Sequence, residues 1–323
     1  MQQLLELLRK SHSITVTTHR DCDGDGVGAM LAFYHALKAR GSQVRLLSVD
    51  AIPAKYDFLP GYRDIHVFTP DQTPPEGDLL IAFDTNDARR IEPLGSWALN
   101  RGHVVFIDHH PVLEKGPHPG HSSFINTQAA STGEMTFELI KSLKIPMNAA
   151  IAECLYTSIV FDTQLFRFLR KSPRSHQIAA ELMEYDFDPT EIHRRLFGEQ
   201  TPAKLRFLAL ALSRIEYLQK DQVAYLNLPY EDFQKHGVDP ESSRDVVDMM
   251  MNVRNVEIAV VLREDRSGRM KISVRSKGRF EVLSLAELWG GGGHLYAAGA
   301  TAEGRSFEEL RKTLDQWIGS RLR

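Results

Sequence analysis

The chain has almost no cysteine. Cys22 and Cys154 are the two among 323 residues, and no CxxC pair occurs. That removes the basis for a disulfide framework or a thiolate zinc site, and a reducing cytoplasm is the expected setting. Long apolar runs are also missing. None approaches the roughly 20 residues that a membrane-spanning helix needs, so no membrane partner is expected. The opening segment MQQLLELLRKSHS carries too much charge for the apolar part of a signal peptide and reads as a short amphipathic helix. A surplus of positive charge is lacking too: 39 Lys and Arg stand against 42 Asp and Glu, a net charge of −3. Proteins that coat long nucleic acids need excess cations to displace counterions. No stable complex with long nucleic acid is therefore expected, although a local basic pocket can still hold a few phosphates. Internal repeats and low-complexity tracts are absent as well.

What is present is ordinary globular composition, 42% hydrophobic and 25% charged, in a chain longer than one core usually holds. The first half alternates apolar runs with helical patterns. Ile14–Thr18, Val44–Val49, Leu79–Phe83 and Val104–Ile107 are continuous apolar or β-branched runs, as in strands covered on both faces. Helical patterns over Val27–Arg40, Ser131–Leu143 and Asn148–Phe161 separate or follow them, which predicts a parallel α/β sheet. From about Asp186 to Gln219 the pattern is helical and charged. Strand-like runs then return at Val223–Leu228, Val256–Arg263 and Met270–Ser276, and Ser306–Ile318 closes the chain as an amphipathic helix. The expected organisation is a parallel-sheet α/β domain over 1–185, a helical linker over 186–219 and a smaller α/β domain over 220–323.

Three apolar runs end in residues that ligate metals. ITVTT leads into His19, Asp23 and Asp25, LLIAF into Asp84, and VVFI into Asp108, His109 and His110. In an open parallel sheet, ligands bind beyond the carboxyl ends of the strands, so these groups would converge. Clustered carboxylates repel one another, and burying them unpaired is costly; a divalent cation removes that conflict. Imidazole and carboxylate donors without thiolate suit Mn²⁺, and less specifically Mg²⁺, Fe²⁺ or Co²⁺. The donors outnumber one ion's needs, and two ions about 3.5–4 Å apart fit phosphoryl hydrolysis. Asp162, at the end of the 148–161 helix, could complete the site. Each piece has a plainer reading: DGDG as a turn or half a calcium loop, Asp84 as the N-cap of a following helix, DHH as a solvated loop, Asp162 as a surface carboxylate. Their joint position at strand ends favours the metal site. A separate signal is the run Gly290–Gly293 before His294, which suits a backbone that approaches a ligand and offers it N–H groups.

In this order, these residues resemble the DHH phosphoesterase family, in the subgroup with a C-terminal DHHA1 domain. His19 with Asp23-Gly24-Asp25 matches the first motif, Asp84 the second, Asp108-His109-His110 the third, Asp162-Thr163 the fourth, and Gly291-Gly292-Gly293-His294 the glycine motif of DHHA1. With no further domain, the chain looks most like the standalone NrnA-like group, which degrades very short RNAs and removes the 3′-phosphate of 3′-phosphoadenosine 5′-phosphate (pAp). The resemblance implies a cytoplasmic, Mn²⁺-dependent hydrolase acting on RNAs of two to about five nucleotides or on pAp. It implies that His19, Asp23, Asp25, Asp84, His109 and Asp162 hold two ions, with Asp84 as the bridge. His110 would contact the scissile phosphate, Asp108 would orient its neighbours, and Arg275 with Gly291, Gly292, Gly293 and His294 would bind the rest of the substrate. Two departures stand out: Asp21-Cys22 where the family has an Asn-Pro-like pair, and Gln164 where it has glycine. A cyclic or linear dinucleotide phosphodiesterase, an inorganic pyrophosphatase and a non-catalytic nucleotide-binding protein remain as alternatives, and a homodimer stays open.

Overall fold

The structure is a computed structural model that describes residues 1–72, 77, 79–99, 104–112, 120 and 122–321. The chain forms two compact units, Met1–Glu199 and Gln200–Arg323.

The first unit begins with helix α1 (Gln2–Lys10), which buries Leu4 and Leu8 one turn apart. Strand β1 (Ser13–Thr18) follows, then α2 (Gly24–Ala39), β2 (Gln43–Ser48), β3 (His66–Val67), β4 (Leu79–Phe83), α3 (Leu94–Leu99), β5 (Val104–Asp108) and β6 (Phe124–Ile125). Helices α4 (Thr132–Ser142), α5 (Ala149–Asp162), α6 (Arg174–Leu182) and α7 (Pro189–His193) complete it. The six strands make one parallel sheet in the order β3-β2-β1-β4-β5-β6. The continuous apolar runs are explained by burial on both faces. In β4, Leu79, Ile81 and Phe83 face the main core with α2, α4 and α5, while Leu80 and Ala82 face a second core with Ile91 and Leu94. Helix α2 is buried over most of its surface. It packs so closely on α5 that a Cβ at Gly28 would sit 2.6 Å from the Cys154 carbonyl oxygen. The strand order reverses between β1 and β4, and their carboxyl ends flank the crevice where doubly wound sheets bind ligands.

The second unit contains α8 (Pro202–Ser213), β7 (Glu216–Leu218), β8 (Val223–Leu228), α9 (Tyr230–His236), α10 (Arg244–Met251), β9 (Ile258–Glu264), β10 (Met270–Ser276), α11 (Leu283–Glu287), β11 (Gly292–His294), β12 (Ala297–Ala302) and α12 (Phe307–Gly319). Its sheet is mixed, in the order β11-β12-β10-β9-β8-β7, with β8 and β9 parallel and the other pairs antiparallel. One face packs on residues of α11 and α12, the other on residues of α8, α9 and α10. The stretch 186–219, expected as a linker, is divided between the units. Ile192 of α7 lies in the core of the first, and Phe207, Leu208 and Ala211 of α8 lie in the core of the second.

The glycine run also has a structural explanation. A Cβ at Gly291 would collide with the Gly299 carbonyl oxygen, and one at Gly293 with that of Ala297. Gly290 and Gly293 have φ of 68° and 134°, open to glycine at little cost. The close backbone approach that the run permits is to β12.

Candidate metal centre

The centre forms where β1, β4 and β5 end. After β1 the chain turns into α2, whose N-cap is Asp23; its Oδ1 accepts the Asp25 and Gly26 amides at 3.0 and 3.5 Å. Two glycines allow this turn to sit tightly. A Cβ at Gly24 would lie 2.6 Å from the Phe161 ring, and one at Gly26 would overlap Thr18 Oγ1. DGDG is thus the start of a buried helix rather than a calcium loop.

Asp84 follows β4 with φ of 61°, a left-handed conformation rare outside glycine and concentrated at functional sites. Its amide donates to the Ile107 carbonyl, 2.9 Å. Asp84 does not cap the next turn; Asp87 does, accepting the Arg89 amide at 2.9 Å. The two oxygens of Asp84 face different partners. Oδ2 is 3.3 Å from His19 Nε2, whereas Oδ1 is 3.7 Å from His109 Nε2 and 3.6 Å from His110 Nδ1. His109 Nε2 also lies 3.6 Å from Asp25 Oδ2 and 3.4 Å from Asp162 Oδ2. Donor atoms fall into groups within 4.8 Å of one another: His19, Asp23 and Asp84; Asp25, His109 and Asp162; and Asp84, His109 and His110. Donors sharing one ion at about 2.1 Å stand about 3.0 Å apart when adjacent and about 4.2 Å when opposite, so these spacings suit coordination.

The surrounding hydrogen bonds fix the donors. His109 Nδ1 lies 3.3 Å from the Ala129 carbonyl, and His19 Nδ1 lies 2.7 Å from the Arg20 carbonyl and 2.7 Å from Arg90 Nη2. For His109, a protonated Nδ1 donating to the Ala129 carbonyl leaves the Nε2 lone pair toward the carboxylates, the arrangement a metal requires; at His19 the Arg90 guanidinium, which only donates, shares Nδ1 with the Arg20 carbonyl. Asp25 is held by the first turn of α4: the Thr132 amide donates to Oδ2 at 2.8 Å and the Gly133 amide to Oδ1 at 3.1 Å, and the Ser158 hydroxyl donates to Oδ1 as well. Thr132 Oγ1 donates to Asp84 Oδ1 at 2.9 Å. One threonine therefore orients two carboxylates. Asp108 is fully buried. Its Oδ1 accepts the His110 amide at 3.2 Å and His110 Nδ1–H at 2.8 Å, and its Oδ2 accepts Asn86 Nδ2–H at 2.7 Å.

The electrostatics match this geometry. Burial pushes the Asp25 carboxyl well up, and the charges of Asp84 and Asp162 add to that. Asp162 is pushed up by burial and by the charges of Asp84 and Asp23. Asp84 goes the other way: burial works to raise it, but the His19 hydrogen bond and the charges of His110, His19 and His109 hold it below the usual range. His109 is kept low by burial and by His110, and so stays neutral. For His110, burial is outweighed by the Asp108 hydrogen bond and the charges of Asp84, Asp108 and Asp162, which lift it to about 9. The Asp25 and Asp162 carboxyls, which resist ionising beside the neutral His109 imidazole, form a donor set that a divalent cation resolves.

The six expected donors are thus together. His110 is beside them with its side chain 30% exposed, against 4% for His19 and 1% for His109. Arg275 and the glycine motif lie in the second unit. Arg275 of β10 and His294 of β11 both pair with Ala297 of the strand between them, so all three face the same side of that sheet, and alanine leaves room between the larger two. Thr132, Ser158 and Asn86 were not legible as site residues. Ser131-Thr132-Gly133-Glu134 reads as a helix N-cap, which it is, with Ser131 Oγ accepting the Glu134 amide.

The chain matches known proteins over most of its length. The model of the DHH family, N-terminal domain, matches residues 13–159, and that of the DHHA1 domain matches 220–320. The chain is 32% identical over 311 residues to the bifunctional oligoribonuclease and PAP phosphatase NrnA of Thermus thermophilus, covering 96% of this chain and 90% of that protein. It is 25% identical over 306 residues to the Bacillus subtilis protein of the same name, covering 93% and 92%. Among solved structures, an exopolyphosphatase-related protein from Bacteroides fragilis superposes with a TM-score of 0.89 at 26% identity, covering 100% and 97%.

Proposed function

The chain belongs to the DHH family and carries a DHHA1 domain, and from that premise we propose that it is a manganese-dependent phosphoesterase acting on very short RNAs and on pAp. The observation that carries the reading is Asp84, whose two oxygens face two separate donor groups. In this reading His19, Asp23 and Asp84 hold one ion, Asp25, His109 and Asp162 the other, and Asp84 is shared. When bound, the pair supplies Lewis acidity toward phosphoryl oxygens and makes water a competent nucleophile near neutral pH. His110 is left as the accessible imidazole. Its bond to Asp108 keeps a proton on Nδ1, and as an imidazolium it offsets charge growing on the phosphoryl oxygens, the main requirement of phosphoryl transfer. Asp108, itself held by Asn86, fixes the ring.

The substrate class rests on the NrnA relatives, whose names state oligoribonuclease and PAP phosphatase activity. The Arg275–Ala297–His294 row fits it, since a guanidinium and an imidazole flanking a small residue suit a second phosphate or a nucleotide. Two buried free thiols fit a reducing cytoplasm. The test is a substrate panel with Mn²⁺: pAp, RNAs of two to about five nucleotides, a longer RNA, cyclic di-AMP and pyrophosphate. We expect turnover of pAp and the short RNAs and at least a thousandfold loss in Asp84→Ala, on the order of removing a transition-state contact. Full activity in that variant, or a wild type that prefers pyrophosphate, would overturn the proposal.

A further inference from the structure

The segment after Asp162 folds back tightly. Gln164, Leu165 and Phe166 all take left-handed φ values of 47°, 60° and 64°. The amides of Arg167 and Phe168 both donate to the Thr163 carbonyl, at 2.8 and 3.0 Å. The backbone of residue 168 is thereby turned back onto Thr163, the neighbour of Asp162. Phe166 is partly buried and stacks on His176, with ring centroids 4.8 Å apart. Phe168 is 55% exposed, and the Arg167 guanidinium lies over its ring at 5.4 Å. Two residues on, Arg170 donates to the Thr127 carbonyl at 3.3 Å, and its charge is felt by both Asp162 and His109. The centre is therefore bordered, within the first unit, by a short cationic loop that presents an aromatic ring to solvent.

Leaving a phenylalanine ring in water forgoes the stabilisation that its burial would bring. A ring backed by a guanidinium beside a phosphoester-cleaving centre is a surface on which a base stacks, while the loop's positive charge favours the attached phosphate. We propose that Phe168, backed by Arg167, is the stacking platform for the nucleobase attached to the scissile phosphate. This rests on the phosphoesterase reading above and adds to it a base subsite in the first unit.

The test compares Phe168→Leu and Phe168→Tyr with wild type. Kinetics are measured on an adenine RNA dinucleotide, and calorimetric binding is measured for AMP and for ribose 5-phosphate, which lacks the base. Phe168→Leu should raise KM for the dinucleotide and weaken AMP binding about tenfold, as loss of one aromatic stacking partner does. Binding of ribose 5-phosphate should be unchanged, kcat should stay within about twofold, and Phe168→Tyr should behave as wild type. Because the side chain is exposed, all three proteins should melt together. AMP binding unchanged in Phe168→Leu, or a loss shared equally by AMP and ribose 5-phosphate, would overturn the platform. A wild type inactive on the dinucleotide, yet binding AMP through Phe168, would remove the phosphoesterase reading and leave the platform standing.

Discussion

Thr132 does two jobs from one position, donating its amide to Asp25 and its hydroxyl to Asp84. Thr132→Val keeps the shape and the amide but removes the hydroxyl, leaving Asp84 Oδ1 one donor short. Outer partners of this kind typically change metal affinity 10–100-fold. We expect Mn²⁺ titration of Thr132→Val to show weakening on that scale, with Thr132→Ser close to wild type. Gln164 is the opposite case, a residue that burdens its own site. It holds φ of 47° where the family pattern has glycine, and a left-handed conformation costs an L-residue roughly 1–2 kcal/mol. Set against glycine's greater freedom in the unfolded chain, Gln164→Gly should still stabilise the protein by about 0.5–1 kcal/mol, read as a higher melting temperature. The difference between these residues shows what sequence can reveal. His19, Asp84 and His109 announced themselves by chemistry at strand ends. Thr132 could not, because its role depends on α4 reaching an aspartate 107 positions earlier in the chain.

At the scale of elements, the site is a meeting of helix starts with strand ends. The first turn of α2 is pressed against β1 through Gly26, and the first turn of α4 binds Asp25 through its backbone amides, which favour a negative partner. Gly26→Ala would place a methyl group on Thr18 Oγ1 and 3.4 Å from Asp84 Cβ. Overpacking of this kind costs about 1–3 kcal/mol. Thermal denaturation should show the loss, and activity should fall further than stability because the displaced neighbours carry the donors. The parallel sheet was legible in the sequence, because strands buried on both faces leave continuous apolar runs. Strands β3 and β6, of two residues each, were not, since such short pairs have no pattern of their own. The glycine run was legible as a place of close backbone approach, but the strand it approaches became visible only with the sheet.

For the whole molecule, the two units have separate cores, and the metal-type donors lie in the first. Manganese should therefore slow amide hydrogen exchange around 19–26, 84–86, 109–110 and 131–134 while leaving β8, β9 and β10 unchanged. Without metal, the first unit should respond to pH in a defined direction. His110, raised from 6.5 to about 9, contributes stability that is complete below 6.5 and is lost as pH rises through 9. Asp25 and Asp162 are raised above 3.8, so their contribution is likewise lost as pH rises through their folded-state values. Asp84, held low, opposes this only as pH falls below 3.8, and His109, also held low, only as pH falls below 6.5. The metal-free first unit should thus melt at higher temperature near pH 7 than near pH 9. Saturating Mn²⁺ should abolish that trend, because it binds the ionised carboxylates.

The donors of the centre are spread from His19 to Asp162, and the sheet order draws them from both sides of the reversal between β1 and β4. A chain emerging from the ribosome carries the first three donors early but lacks the last until α5 is complete. Domains assemble as units during synthesis, so a growing chain gathers no full ion pair before that point. The centre is in this way incomplete until the first half of the chain has been made.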